Sequence, residues 1–172
     1  MDLVPAGTEL PNDPDDNPCF ACGPRNPLGL RMRFFDDGKV VRSTLTLDER
    51  HGGSHAHVLA GIVFGAMEEA LYWTAWARFG EHARSATQGP SLLLFTHDVL
   101  VDKPFVVEAE VVADHGDVKD LRARVVQGGG ECARLGWTYR RQTRDEIERM
   151  LKRADLERST REEYARMLAS RA

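Results

Sequence analysis

The 172-residue sequence has no apolar stretch approaching the roughly 20 residues that span a bilayer, and its first 18 residues are acidic and proline-rich with no apolar signal region. No membrane partner and no export signal are expected, and the chain reads as cytoplasmic. Cysteine is scarce and odd in number, Cys19, Cys22 and Cys132, so free thiols are expected rather than a disulfide framework. Charge of one sign is also lacking. The 23 Lys and Arg intermix with 27 Asp and Glu for a net −4, which leaves no basic footprint for nucleic acid.

What is present is enough apolar material, 42% of residues, for one core, in a chain too short for two. Residues 1–18 read as an extended or disordered leader, because Pro, Asp, Asn and Gly supply no repeating apolar face. Residues 19–141 read as the main domain. There Leu30, Met32 and Phe34 alternate with Arg31 and Arg33. After a turn at Asp36-Asp37-Gly38, Val41, Ser43, Leu45 and Leu47 alternate with Arg42, Thr44 and Thr46, which predicts a two-stranded hairpin. Apolar residues at helical spacing between His57 and Phe79, with few charges, predict a helix buried on most sides. Beyond Gly89-Pro90, runs over 91–100, 104–113, 119–127 and 131–141 predict four strands in a meander. An α+β domain, a curved antiparallel sheet wrapped around one long central helix, satisfies this order. In residues 142–172, Thr143 with Glu146 and Thr160 with Glu163 fit capping boxes ahead of amphipathic segments, so a C-terminal helical extension of two short helices is expected.

Glu68 and Glu69 stand out, since two carboxylates in the most apolar helix cost several kcal/mol to bury ionised unless paired. One of them facing a cleft would be a nucleophile or general base of raised pKa. Alternatively the pair marks the helix's wet edge, or one of them pairs with an Arg. Glu68 follows Ala60 by a little over two turns, about 12 Å along the axis, and free N–H groups at a helix start suit a developing oxyanion. His51, His55 and His57 in a Gly-rich loop read as solvated imidazoles rather than a metal cluster. Cys19 and Cys22 form a lone CxxC that, with only Cys132 besides, falls short of the four ligands of structural zinc. The pair is expected as buried small side chains pinning the leader. No metal and no cofactor are expected.

The segment Cys19-Phe-Ala-Cys-Gly-Pro-Arg-Asn-Pro-Leu-Gly-Leu30 resembles the signature CFxCGxxNPxGL of a branch of the acyl-CoA thioesterase superfamily, hotdog-fold enzymes related to the phenylacetate-pathway thioesterase. The stretch from His51 to Gly61, followed by Ile62 to Ala70, is similar to the family region that ends in His-Gly-Gly and enters a helix carrying Asp-Glu-Ala. The resemblance implies a hotdog homodimer, or a dimer of dimers, with active sites at the subunit interface and an acyl-CoA or acyl-carrier-protein thioester as substrate. It implies Glu68 as nucleophile or general base, with Glu69 at the adjoining glutamate and the amides of Ala60 and Gly61 as oxyanion donors. A polar side chain from the second subunit falls at Thr87 or Gln88. The family histidine is replaced by Leu59 and the first glycine by Ala60; the literal His51-Gly52-Gly53 lies ahead of the helix, out of register. Tyr72, Trp73 and Trp76 are core or the wall of an acyl pocket. Thioester hydrolysis is the leading expectation. The alternative, motivated by Leu59, is a non-catalytic acyl-CoA or lipid-binding hotdog protein, and a third reading is an interaction partner working through the C-terminal helices. The Asp and His pairing of a hotdog hydratase is not visible.

Overall fold

The computed structural model describes residues 7–12, 17–156 and 158–171; the rest of the leader, 1–6 and 13–16, lies outside the described residues. Two-residue strands β1 (Thr8–Glu9) and β2 (Phe35–Asp36) precede β3 (Val40–Leu45). The central helix α1 spans Ala60–Phe79. Strands β4 (Ala83–Ser85), β5 (Leu92–Phe95), β6 (Phe105–Asp114), β7 (Val118–Gln127) and β8 (Gly130–Arg141) follow, then α2 (Arg144–Leu151) and α3 (Arg158–Ala169).

All pairings are antiparallel, in the order β1-β2-β3-β6-β7-β8-β4, with β5 also on β8. Register shifts at Val111/Ala113 and Val125/Val126 bend the long strands. One face of the sheet wraps α1, which packs on β3, β4, β6, β7 and β8. The inward positions Val41, Leu45, Phe105, Val107, Leu121, Val125 and Leu135 are buried against Ala66, Met67, Ala70 and Leu71 of the helix. The outer face carries cross-strand ion pairs, Glu108 between Arg42 and Arg124, and Glu110 with Arg122. α1 ends where Gly80 turns left-handed (φ 69°) and its N–H bonds Trp76 O.

Four expectations need correction. The first hairpin strand is only Phe35–Asp36. Leu30, Met32 and Phe34 are buried as the alternation requires, but Arg31 has φ 51° and the N–H groups of Leu30 and Met32 bond Phe20 O and Ala21 O instead of a ladder. The four later strands are not a simple meander. β3 takes the open edge of β6, so β5 pairs across the fold with β8. The run over 91–100 shortens to Leu92–Phe95, and a three-residue strand, β4, was not foreseen. Thr143 and Glu146 do form a reciprocal capping box on α2. Thr160, however, lies inside α3, and Glu163 reaches instead to His82 and Trp76.

Helices α2 and α3 build a satellite core from Ile147, Tyr164 and Met167. They dock on the end of α1: the Tyr164 ring stacks on His82 at 5.0 Å, Trp76 Nε1 donates to Glu163 Oε1 at 2.8 Å and Gln142 Nε2 donates to the Tyr164 hydroxyl at 2.9 Å. Among the described residues no helix is long and apolar enough to cross a membrane.

Candidate active site

The outward face of α1, the signature loop and the C-terminal helices enclose a cleft of about 1120 Å³. Glu68, Glu69, Tyr72 and Trp73 face it from the helix, Cys19 and Cys22 from the loop, and Glu163 from α3. Helical spacing alone explains the helix set. Glu68, Glu69, Tyr72, Trp73 and Trp76 recur at intervals of three and four, forming the stripe that the sheet does not cover.

The loop is held by short-range bonds that account for its residue types. Gly23 N–H bonds Cys19 O at 2.9 Å, and an added Cβ at Gly23 would stand 2.4 Å from Cys19 N and O, so only glycine closes this turn. Asn17 Oδ1 accepts from Cys19 N at 2.9 Å and Asn26 Oδ1 from Leu28 N at 3.0 Å. Gly29 lets Phe20 O approach to 2.5 Å of where a Cβ would be. Asn12 Nδ2 donates to Cys22 O at 2.6 Å, tying the leader to the loop.

Glu68 accepts one hydrogen bond, from the Tyr139 hydroxyl at 3.4 Å. Burial pushes its pKa up, against the pull of that hydrogen bond. Glu69 is raised further, to about 7, chiefly by burial and then by the neighbouring Cys19. Trp73 Nε1 donates to Glu69 Oε1 at 3.0 Å, and Cys19 Sγ lies 3.7 Å from Glu69 Oε2. No cation is among the groups acting on either carboxylate, so the surface-Arg alternative does not apply. The Cys22 thiol, with the amide N–H groups of Cys22 and Ala21, lowers the Cys19 pKa; Cys22 itself, sharing that proton and buried, is raised. Such an arrangement can abstract or donate a proton near neutral pH.

The remaining candidates lie apart. Ala60 and Gly61 are exposed in the first turn of α1, and among the described residues no acceptor meets their backbone N–H groups. The N-cap Leu59 offers no side-chain hydrogen bond and is 52% exposed. Thr87 and Gln88 sit in the exposed loop between β4 and β5, where Thr87 Oγ1 bonds Gly89 O at 2.7 Å; neither lines the cleft. Tyr72 does line it, its hydroxyl on His82 Nδ1, while His82 Nε2 is 3.1 Å from Glu163 Oε2. The three loop histidines do not converge: His51 bonds Asp48 at 3.1 Å, His57 faces Asp98 at 3.8 Å, and His55 stacks on His57. The loop before α1 is non-helical, with φ 61° at His55 and a Gly52–Val58 bridge, so His51-Gly52-Gly53 stays out of register.

Sequence reasoning missed Tyr139, His82 and Glu163. Tyr139 was within reach, since alternation from Ala133 through Leu135 and Trp137 puts it on the helix-facing side of β8. Nothing local marks His82 or Glu163, which meet 81 positions apart.

A curved antiparallel sheet around a central helix is the hotdog fold, and comparison with solved structures agrees. The chain is similar to a thioesterase superfamily protein at TM-score 0.62 and 20% identity, covering 72% of this chain and 60% of that one. It is similar to the E. coli PaaI protein of the phenylacetic acid degradation operon (TM-score 0.58, 14% identity, 66% and 81% covered). A third is an acyl-CoA hydrolase of Staphylococcus aureus, in complex with butyryl coenzyme A, coenzyme A and coenzyme A disulfide (TM-score 0.57, 11% identity, 62% and 65% covered). The chain thus spans about three fifths of the length of the first of these. No family model and no curated protein matches it.

Proposed function

We propose that the chain hydrolyses acyl-CoA or acyl-carrier-protein thioesters in the cytoplasm, with Glu68 as nucleophile or general base. The setting of Glu68 carries this reading: a desolvated carboxylate of raised pKa, without a cation, open to a cleft. The amides of Ala60 and Gly61 are the oxyanion donors. Eight residues of helix put them about 12 Å from Glu68 along the axis, farther than one thioester carbonyl can bridge. The amides of one copy must therefore act with Glu68 of another, which makes the functional unit a homodimer. Strand β5 supports the same arrangement. Leu92, Leu93, Leu94 and Phe95 are each 42–45% exposed along an edge with a single neighbour, the row of unpaired groups that invites a second strand. Thr87 and Gln88 lie just ahead of that edge, where a second copy would meet them. Glu69, Tyr72 and Leu59 line the approaches for the acyl and pantetheine portions.

The test is thiol release from short, long and aromatic acyl-CoA esters by the native chain and by Glu68→Gln. Turnover is expected to fall by about 10²–10⁴-fold in the variant, and the acid limb of the native pH profile to lie above 4.5, the ordinary glutamate value. No turnover by either protein, with acyl-CoA still raising the melting temperature, would replace this reading with that of an acyl-CoA-binding module, for which Leu59 in place of the family histidine is the motive.

A further inference from the structure

We propose that Cys19, Cys22 and Glu69 bind a divalent transition-metal ion of zinc's borderline softness, leaving a fourth coordination position open to the cleft. The two sulfurs and a Glu69 carboxylate oxygen lie within 4.8 Å of one another. Tetrahedral zinc, with sulfur at ~2.3 Å and oxygen at ~2.1 Å, needs its donors roughly 3.5–3.8 Å apart. Cys19 Sγ and Glu69 Oε2 already stand at 3.7 Å, so closure on an ion requires only side-chain adjustment.

The loop is built as a thiolate holder. Gly23 closes a turn around Cys19 that no side chain at position 23 would permit. That turn aims the amide N–H groups of Ala21 and Cys22 at Cys19 Sγ, while Asn17 Nδ2 donates to Cys22 Sγ at 3.2 Å. Hydrogen-bond donors to ligand atoms of this kind fix ligand orientation in metal sites. Charge argues the same way. A buried carboxylate beside two thiols has no cation acting on it, and a divalent ion would supply the missing positive charge. Thiolate donors disfavour magnesium and calcium, which take oxygen ligands, and favour zinc-like ions. Cys22 is buried whereas Cys19 is half-buried at the cleft wall, which leaves an ion a way in. The motif by itself supplies two ligands; the third comes from a helix 50 residues away, which is why counting cysteines in the sequence falls short.

This inference goes beyond thioester hydrolysis and is tested without any acyl ester. The reduced full-length chain, with its thiols verified as free, is titrated with cobalt(II) and followed by absorption. One equivalent is expected to produce a thiolate-to-cobalt charge-transfer band and the visible bands of a tetrahedral ion, both displaced by zinc(II). Cys19→Ser and Cys22→Ser should each abolish one-equivalent binding, Cys132→Ser should bind as the native chain does, and Glu69→Gln should keep the sulfur band while weakening affinity roughly tenfold or more. In case the serine variants do not fold, zinc(II) should protect Cys19 and Cys22, but not Cys132, from iodoacetamide in the native chain. The absence of a saturable sulfur band, a band that survives Cys22→Ser, or equal alkylation with and without zinc would overturn the proposal. Hydrolysis without cobalt bands would refute the metal site alone, and cobalt binding without hydrolysis the thioesterase reading alone.

Discussion

Glu146 offers the sharpest check on how the C-terminal helices are held against the domain. Its carboxylate takes two hydrogen bonds from Arg140, both 2.8 Å, and a third from Thr143 N–H at 2.8 Å, with its side chain only 10% exposed. Arg140 first, then the Thr143 amide, hold its pKa at about 2, against an ordinary 4.5. At about 1.4 kcal/mol per pH unit the gap is worth about 3 kcal/mol; solvent at the rim of the pair reduces this to roughly 1–2 kcal/mol. Because the folded pKa is depressed, the stabilisation is complete above the unfolded value of 4.5 and disappears as pH falls through about 2. Glu146→Gln leaves an amide oxygen able to accept from Thr143 N–H, so it removes the charge pair but not the cap. Melting curves of the two proteins should differ by roughly 3–6 °C at pH 7, and the difference should shrink steadily between pH 5 and pH 2. A difference that stays constant down to pH 2, or none at neutral pH, would refute the assignment of that stability to the Arg140 pair.

Three further outcomes follow from the same physical arguments. Leu92→Lys with Leu94→Lys places like charges across a paired β5 edge at a cost of several kcal/mol, so the dimer should weaken by about 100-fold or more in light scattering; a native chain that is monomeric at micromolar concentration would contradict the dimer itself. Gly23→Ala forces a Cβ onto backbone atoms 2.4 Å away and should destabilise the chain by at least ~2 kcal/mol in urea unfolding; an unchanged midpoint would refute the close approach. In the metal-free protein, mass spectrometry should find Cys19 alkylated at neutral pH well ahead of Cys22 and Cys132, since its pKa is lowered while theirs are raised; equal rates for the three would show that no thiolate is stabilised.

What could be read from the sequence was whatever a local period controls. The apolar spacing of Val63, Ala66, Met67, Ala70 and Leu71 produces α1, and alternation along 105–114, 118–127 and 130–141 produces the long strands. β4 escaped because three residues, Ala83 to Ser85, carry no period, and their pairing is dictated by the length of β8. The strand expected at Leu30–Phe34 failed for a different reason. Its burial alternates correctly, yet its hydrogen bonds are taken by the signature loop 10 residues upstream. At the site, Glu68 and Glu69 were conspicuous as charges in an apolar helix. Their partners Tyr139, Cys19 and Trp73 come from three different parts of the chain, and only the fold joins them.

The two adjacent glutamates are thereby set different tasks by their neighbours. Glu68 is met by a single long hydrogen bond from a β8 tyrosine, which leaves an oxygen free to face a substrate. Glu69 is engaged on both oxygens, by the Trp73 indole N–H at 3.0 Å and by Cys19 Sγ at 3.7 Å, and so is held in place rather than poised to react. A fixed carboxylate beside two thiols suits a ligand to a cation, whereas a loosely held one of raised pKa suits proton transfer or attack. If both assignments hold, an ion bound at Glu69 would stand one residue from the reacting carboxylate and pull its pKa back down. Metal occupancy should then shift the acid limb of hydrolysis to lower pH while the Tyr139 hydrogen bond stays in place.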